Sequence, residues 1–103
     1  MNKYFLHGSL TAKAGEKEKL ASILVKASQL LSDAPGCKLY AIGLSDSEEN
    51  AVYITEIWDS KEDHDNSLKD ANIQNLIKEA MPLIDGAPTQ GQVLTIVGGK
   101  GIG

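Results

Sequence analysis

Three segments of this chain have strand-like composition with apolar side chains at both alternate positions, a pattern few architectures tolerate. Across residues 37–44, Cys37, Leu39 and Ala41 alternate with Tyr40, Ile42 and Leu44. Across 51–58, Val52, Ile54 and Trp58 alternate with Tyr53 and Ile57. In a last strand over 90–97, Leu94 and Ile96 alternate with Val93 and Val97. Successive side chains of a strand point to opposite faces, so a sheet built from these segments avoids water on both. A layer of helices covers one face. At 103 residues the chain is one domain with no second sheet to spare. The other face is therefore expected to meet a second copy, giving a homodimer through sheet faces.

Between the strands the period changes. A first strand over 4–11 ends at Ala12-Lys13-Ala14-Gly15. From Glu16, Leu20, Ile23, Leu24, Ala27, Leu30 and Leu31 fall on one helical stripe, with Lys17, Lys19, Lys26 and Gln29 on or near the opposite side. Asp33-Ala34-Pro35-Gly36 stops that helix. Asp59-Ser60 supplies N-cap chemistry for a short polar helix to about Lys69. A second run has Ile73, Leu76, Ile77, Ala80 and Met81 at helical spacing, and a turn is expected at Asp85-Gly86-Ala87-Pro88. The order β-α-β-β-α-β is the ferredoxin-like split pattern, an α+β fold with both helical regions on one face of a four-stranded antiparallel sheet. Residues 1–97 form the expected domain, and the glycine-rich 98–103 a flexible tail.

Composition narrows the function. The formal net charge is −4, and all ten basic residues are lysine, so the guanidinium fork that grips phosphate and guanine is absent. Nucleic acid and anionic membrane are not the expected partners. No apolar run is long enough to span a bilayer, and the opening residues do not read as a signal peptide. A soluble, cytoplasmic protein is the expectation. One cysteine excludes an internal disulfide framework, and His7 and His64 have no metal-ligand spacing. The tail glycines follow a strand but precede no helix, so they do not form a phosphate loop.

What remains is the strand-to-helix junction Glu56-Ile57-Trp58-Asp59-Ser60-Lys61-Glu62-Asp63-His64. Trp58, the one tryptophan, either fills the gap between sheet and helix or forms a pocket wall. Glu56 shares its parity with Ile54 and Trp58, so it needs either a lysine partner at the rim of a layer or a chemical task. His64 is either a solvated residue of a polar helix or an acid–base group, since imidazole ordinarily titrates near about pH 6.5. His7 is a second candidate if its parity faces a pocket. Cys37 reads as a small packed hydrophobe.

On Leu10-Thr11-Ala12-Lys13-Ala14-Gly15, on Pro35-Gly36-Cys37 and above all on Glu56-x-Trp58-x-Ser60-x-Glu62, nearly the whole chain resembles the antibiotic biosynthesis monooxygenase family of dimeric α+β barrels. The resemblance implies a pocket between sheet and helices with Trp58 in its wall. It implies a cofactor-independent monooxygenase, needing neither metal nor flavin, that oxidises a small aromatic quinol- or anthrone-like substrate with dioxygen. In that picture Trp58 and His64 are the catalytic candidates, and Trp58, Ile54, His7 and Glu56 bind substrate. The chain departs from the family at several places. Histidines found in many members nine and fourteen residues beyond the tryptophan are Ser67 and Asn72 here. A tyrosine of the anthrone-oxidising branch is His64, and a pocket asparagine of that branch is Ile54. These departures favour an alternative, a non-catalytic ligand-binding or stress-response module of the same fold. Haem degradation comes third, because His7 or Gly8 and Ser67 or Leu68 do not supply the asparagine and histidine it uses in relatives.

Overall fold

A computed structural model describes residues 2–86 and 91–102. The elements run β1 (Lys3–Thr11), α1 (Lys17–Leu30), β2 (Cys37–Leu44), β3 (Ala51–Trp58), α2 (Lys61–Ser67), α3 (Ala71–Ala80) and β4 (Gln92–Ile96). The sheet order is β2-β3-β1-β4 with every neighbouring pair antiparallel, the ferredoxin-like topology expected from the element order. Short 3₁₀ turns extend α1 through Leu31–Asp33 and α3 through Met81–Leu83. The expected start of the last strand at Gln90, and Ala87-Pro88 of the turn before it, lie outside the described residues. Residues 98–102 form no helix or strand. Among the described residues no helix is long and apolar enough to cross a membrane.

Helices cover one face of the sheet. Val52 and Ile54 of β3 and Leu10 of β1 pack with Leu20, Ile23 and Leu24 of α1 and Ala80 of α3. At the other end of the strands Trp58 packs with Ala27, Leu31 and Ile73. Leu30 leaves the stripe expected for α1 and is exposed. At 100° per residue it lies about 80° from the centre of the arc holding Leu20, Ile23, Leu24, Ala27 and Leu31, so it turns to solvent.

The opposite face carries Phe5, His7 and Ser9 of β1, which pair with Ile57, Thr55 and Tyr53 of β3. Leu39 and Ala41 of β2 and Leu94 of β4 share that face, and Leu39 and Leu94 are exposed. None of the three helices lies there. The apolar side chains of this face are interrupted by a polar row through the middle, where His7 and Thr55 share a 2.9 Å hydrogen bond and Gln92 stands opposite His7, and by Ser9 beside Tyr53. At its edge Lys3, almost wholly buried, donates to Asp59 at 2.9 Å.

One parity assignment needs correction. Cys37 pairs with Trp58 while Leu39 pairs with Ile57, so the register shifts between them. The extra residue, Lys38, puts Cys37 on the helix side with Tyr40 rather than on the open face with Leu39 and Ala41.

The turn before β2 ties the sheet to α2. Gly36 has φ +79°, a left-handed conformation that a side chain disfavours, and its carbonyl accepts from the Asp59 N–H at 2.8 Å. A Cβ on Gly36 would also overlap the Asp63 carboxylate at the start of α2, whereas a Cβ on Gly15, with φ +80°, meets nothing. Gly15→Ala is expected to lose about 1–2 kcal/mol from the backbone conformation alone. Gly36→Ala should lose more, and urea denaturation of the two variants measures the difference. Equal losses would mean that Asp63 swings away at no cost.

Candidate functional site

Between the helix-bearing face of the sheet and α1, α2 and α3 lies a cavity of about 220 Å³. Its wall is mostly aliphatic, from Leu10, Ile23, Leu24, Ile73, Leu76 and Ile84. Leu68, Ile77 and Met81 also line it and are themselves exposed, so they form an apolar mouth. Against this wall stand three groups able to exchange protons: Tyr40, Glu56 and His64.

Each is placed by its element. Glu56 and Tyr40 are paired across β3 and β2 on the helix side, which puts their Cβ atoms about 4.5–5.5 Å apart. His64 comes from α2, whose N-cap is Ser60: the hydroxyl accepts from the Asp63 N–H at 3.1 Å. One turn on, His64, Ser67 and Leu68 at i, i+3 and i+4 form the stripe of this polar helix that faces the cavity. The imidazole is thus held against the sheet, 5.5 Å from the Tyr4 ring and edge-on to Trp58 at 5.7 Å between centroids. Its side chain is 16% exposed, and so is that of Glu56, so the solvated alternative for His64 does not hold.

Trp58 lies behind the cavity, not in its wall. It is fully buried, and its indole N–H donates to Glu56 Oε1 at 3.0 Å. Among the described residues no lysine pairs with Glu56, and the indole bond is what holds the carboxyl. His64 Nε2 lies 3.8 Å from the same oxygen, and Nδ1 lies 3.0 Å from Asp65 Oδ1. Asp65 also accepts from Lys61 at 2.7 Å, and Lys61 first, then His64, hold its carboxyl below the usual range. An ionised carboxylate only accepts, so His64 carries a proton on Nδ1, and in the neutral ring Nε2 is the lone-pair nitrogen that faces Glu56.

Burial dominates the electrostatics of the other groups. It pushes the Glu56 carboxyl above its ordinary value, against the opposing pull of the Trp58 hydrogen bond and of His64. Burial, then the Glu56 charge, raises the Tyr40 phenol and the Cys37 thiol. Cys37 packs beside Trp58 as the small hydrophobe its position suggested.

Of the residues singled out from sequence, Glu56 and His64 meet in the cavity, with Trp58 behind them. Ile54 is half-buried against the core, and lines a separate groove of about 130 Å³ beside the part of β1 that β4 does not reach. His7 stands on the open face, stacked on Tyr53 at 6.0 Å between centroids, so its ring and the Glu56–His64 pair are on opposite sides of the sheet. Tyr40 was not singled out, because both parities of its strand are apolar and only the pairing with Glu56 places it on the helix side. No cluster of three His, Cys, Asp or Glu side chains fit to hold a metal occurs among the described residues.

The profile of the antibiotic biosynthesis monooxygenase family matches residues 3–79, which include every group of the cavity's proton-exchanging set. This chain belongs to that family. A protein from Chloroflexus aurantiacus J-10-fl that bears the family's name is 35% identical, with a TM-score of 0.81 over 98% of this chain and 99% of its own. Another bearing that name, from Nitrosomonas europaea, is 11% identical but also reaches a TM-score of 0.81, over 99% and 94% of the two chains. A Bacteroides thetaiotaomicron VPI-5482 protein described as a possible oxidoreductase is 15% identical, with a TM-score of 0.77 over 92% and 96%. The last two show the fold alone. No curated protein matches the sequence.

The raised carboxyl makes stability depend on pH. Below its ordinary value of 4.5 Glu56 is protonated in both folded and unfolded chains. As pH rises, the unfolded chain releases the proton first, so folding takes one up and stability falls until the folded carboxyl ionises. Glu56→Gln keeps an acceptor for Trp58 and has no charge to bury. Its stability relative to wild type is therefore expected to rise from pH 4.5 upward, as read from urea midpoints across pH 4–8. A constant difference would mean that Glu56 is solvated in the folded chain.

Proposed function

We propose that this protein is a cofactor-independent monooxygenase that oxidises a small, electron-rich aromatic of the quinol or anthrone type with dioxygen. The observation that carries this reading is the Glu56–His64 pair, with Tyr40, in an otherwise apolar cavity of a chain in this family. A phenolic substrate gives its proton to His64 Nε2, and the electron-rich phenolate passes an electron to dioxygen. One oxygen atom enters a ring carbon, and the other leaves as water with two hydrogens of the substrate. Glu56 returns a proton to the developing peroxide. Trp58 acts through Glu56 as a positioning residue. The cavity is smaller than the about 300–1,000 Å³ clefts that hold drug-sized ligands, which favours a one- or two-ring quinol over a three-ring anthrone and does not suit a porphyrin. The buried placement of His64 argues against the non-catalytic alternative, which would leave both histidines in solvent.

Oxygen uptake with a panel of hydroquinones and anthrones tests the reading. His64→Ala is expected to lower kcat/KM by about 10²-fold or more. Uptake at the buffer rate across the panel, unchanged in the variant, would remove the assignment.

The same proposal includes a homodimer. Phe5, Leu39, Ala41 and Leu94 give the open face an apolar surface of the kind that packs on another sheet, and an isologous pair closes it without leaving a free copy of the patch. Light scattering at micromolar concentration should give twice the chain mass, and Leu39→Glu should give the monomer. A monomeric wild type contradicts this part.

A further inference from the structure

The cavity's polar atoms are organised for a reaction that needs no oxidant. Trp58 N–H can only donate, so Glu56 Oε1 is fixed as an acceptor and a proton taken up by the carboxyl sits on Oε2. Asp65 fixes the His64 proton on Nδ1 and leaves the Nε2 lone pair turned to Glu56. Glu56 Oε2, His64 Nε2 and the Tyr40 hydroxyl have no hydrogen-bond partner among the described residues. None of these atoms is among sealed, unsatisfied polar groups, of which the described residues contain none. They are therefore open to a ligand or to water. An acid, a base and a second donor thus line the same apolar-walled chamber, an arrangement suited to carbon-acid chemistry.

We propose that this site also catalyses keto–enol interconversion of small cyclic ketones that bear an acidic α C–H bond, using Glu56 as acid and His64 as base. The ketone oxygen sits at Glu56 Oε2 and Tyr40, and the α-carbon at His64 Nε2. His64 Nε2 takes the α-proton, and the C–H electron pair becomes the C=C bond of the enol. The carbonyl π pair takes the Glu56 proton and becomes an O–H bond. His64 then carries the proton that Glu56 has lost; its Nε2 lies 3.8 Å from Oε1, beyond direct hydrogen-bond reach, so water returns the proton to Oε2 and restores the starting pair. Nothing is oxidised or reduced. The open mouth at Leu68, Ile77 and Met81 lets solvent exchange that proton. Asp65 is a positioning residue for His64. The proposal rests on the same cavity as the monooxygenase reading, but not on the use of dioxygen.

Deuterium incorporation at the α-carbons of 2-tetralone, followed by mass spectrometry in anaerobic D2O with the full chain, tests it. Wild type is expected to exceed the buffer rate by about 10²-fold or more. His64→Gln and Glu56→Gln should each fall close to the buffer rate while keeping a cooperative unfolding transition. Asp65→Asn should keep part of the rate, because the amide oxygen still accepts from Nδ1, whereas Asp65→Ala should fall further, so that the partial rescue by the amide marks a positioning role. Wild-type exchange at the buffer rate would overturn the proposal, as would folded His64 and Glu56 variants that exchange like wild type. Oxygen uptake with methylhydroquinone, run in parallel, separates the two readings. Exchange without uptake supports this proposal and removes the oxidation, and uptake without exchange does the reverse.

Discussion

The hydrogen bond from the Trp58 indole to Glu56 joins the packing of one end of the molecule to the chemistry of its cavity. A fully buried indole N–H must find an acceptor, and a buried carboxyl must find a donor or give up its charge. Each meets the other's need, and because they stand two residues apart on β3 they do so on the same face of the strand. Around that bond the remaining parts assemble. The Trp58 ring fills the space between Ala27, Leu31 and Ile73, which sets α1 and α3 against the sheet, and it meets the imidazole of His64 from α2 in a T-shaped contact. Remove the indole and the carboxyl keeps only a histidine 3.8 Å away.

Much of this was legible in the sequence, because it depends on periodicity. The strands 37–44 and 51–58 have the bounds their composition marks, and both faces of the sheet are apolar, as the alternation requires. Other features leave no such trace. The bulge at Lys38 is one inserted residue in a strand, with no residue type to announce it, yet it decides which face receives Cys37. The facing of His7 follows from its register with Thr55, and a strand's partner cannot be read from its own residues.

The histidine on α2 shows a different limit. This helix has no apolar stripe, because its inward positions are His64, Ser67 and one leucine, so hydrophobic period alone presents it as polar all round. What turns it is tertiary. Ser60 caps its start, and Tyr4 and Trp58 offer aromatic surface to the imidazole. Tyr40 is the complementary case. Its alternation with Leu39 and Ala41 was readable, but which parity faces the helices, and with it the place of the phenol opposite Glu56, appears only when β2 lies beside β3.

The alternation along β3 has a consequence for how such a chain can vary. Thr55 and Ile57 belong to the open face, Glu56 and Trp58 to the cavity side, and each pair is interleaved with the other. A slip of one residue against β1 would exchange them, sending the carboxyl and indole outward and Thr55 and Ile57 into the helical layer. The strand therefore tolerates replacement of side chains but not a change of length. Insertions and deletions are confined to places where no register is at stake, such as the polar turn of residues 45–50, which joins the ends of β2 and β3 farthest from Trp58.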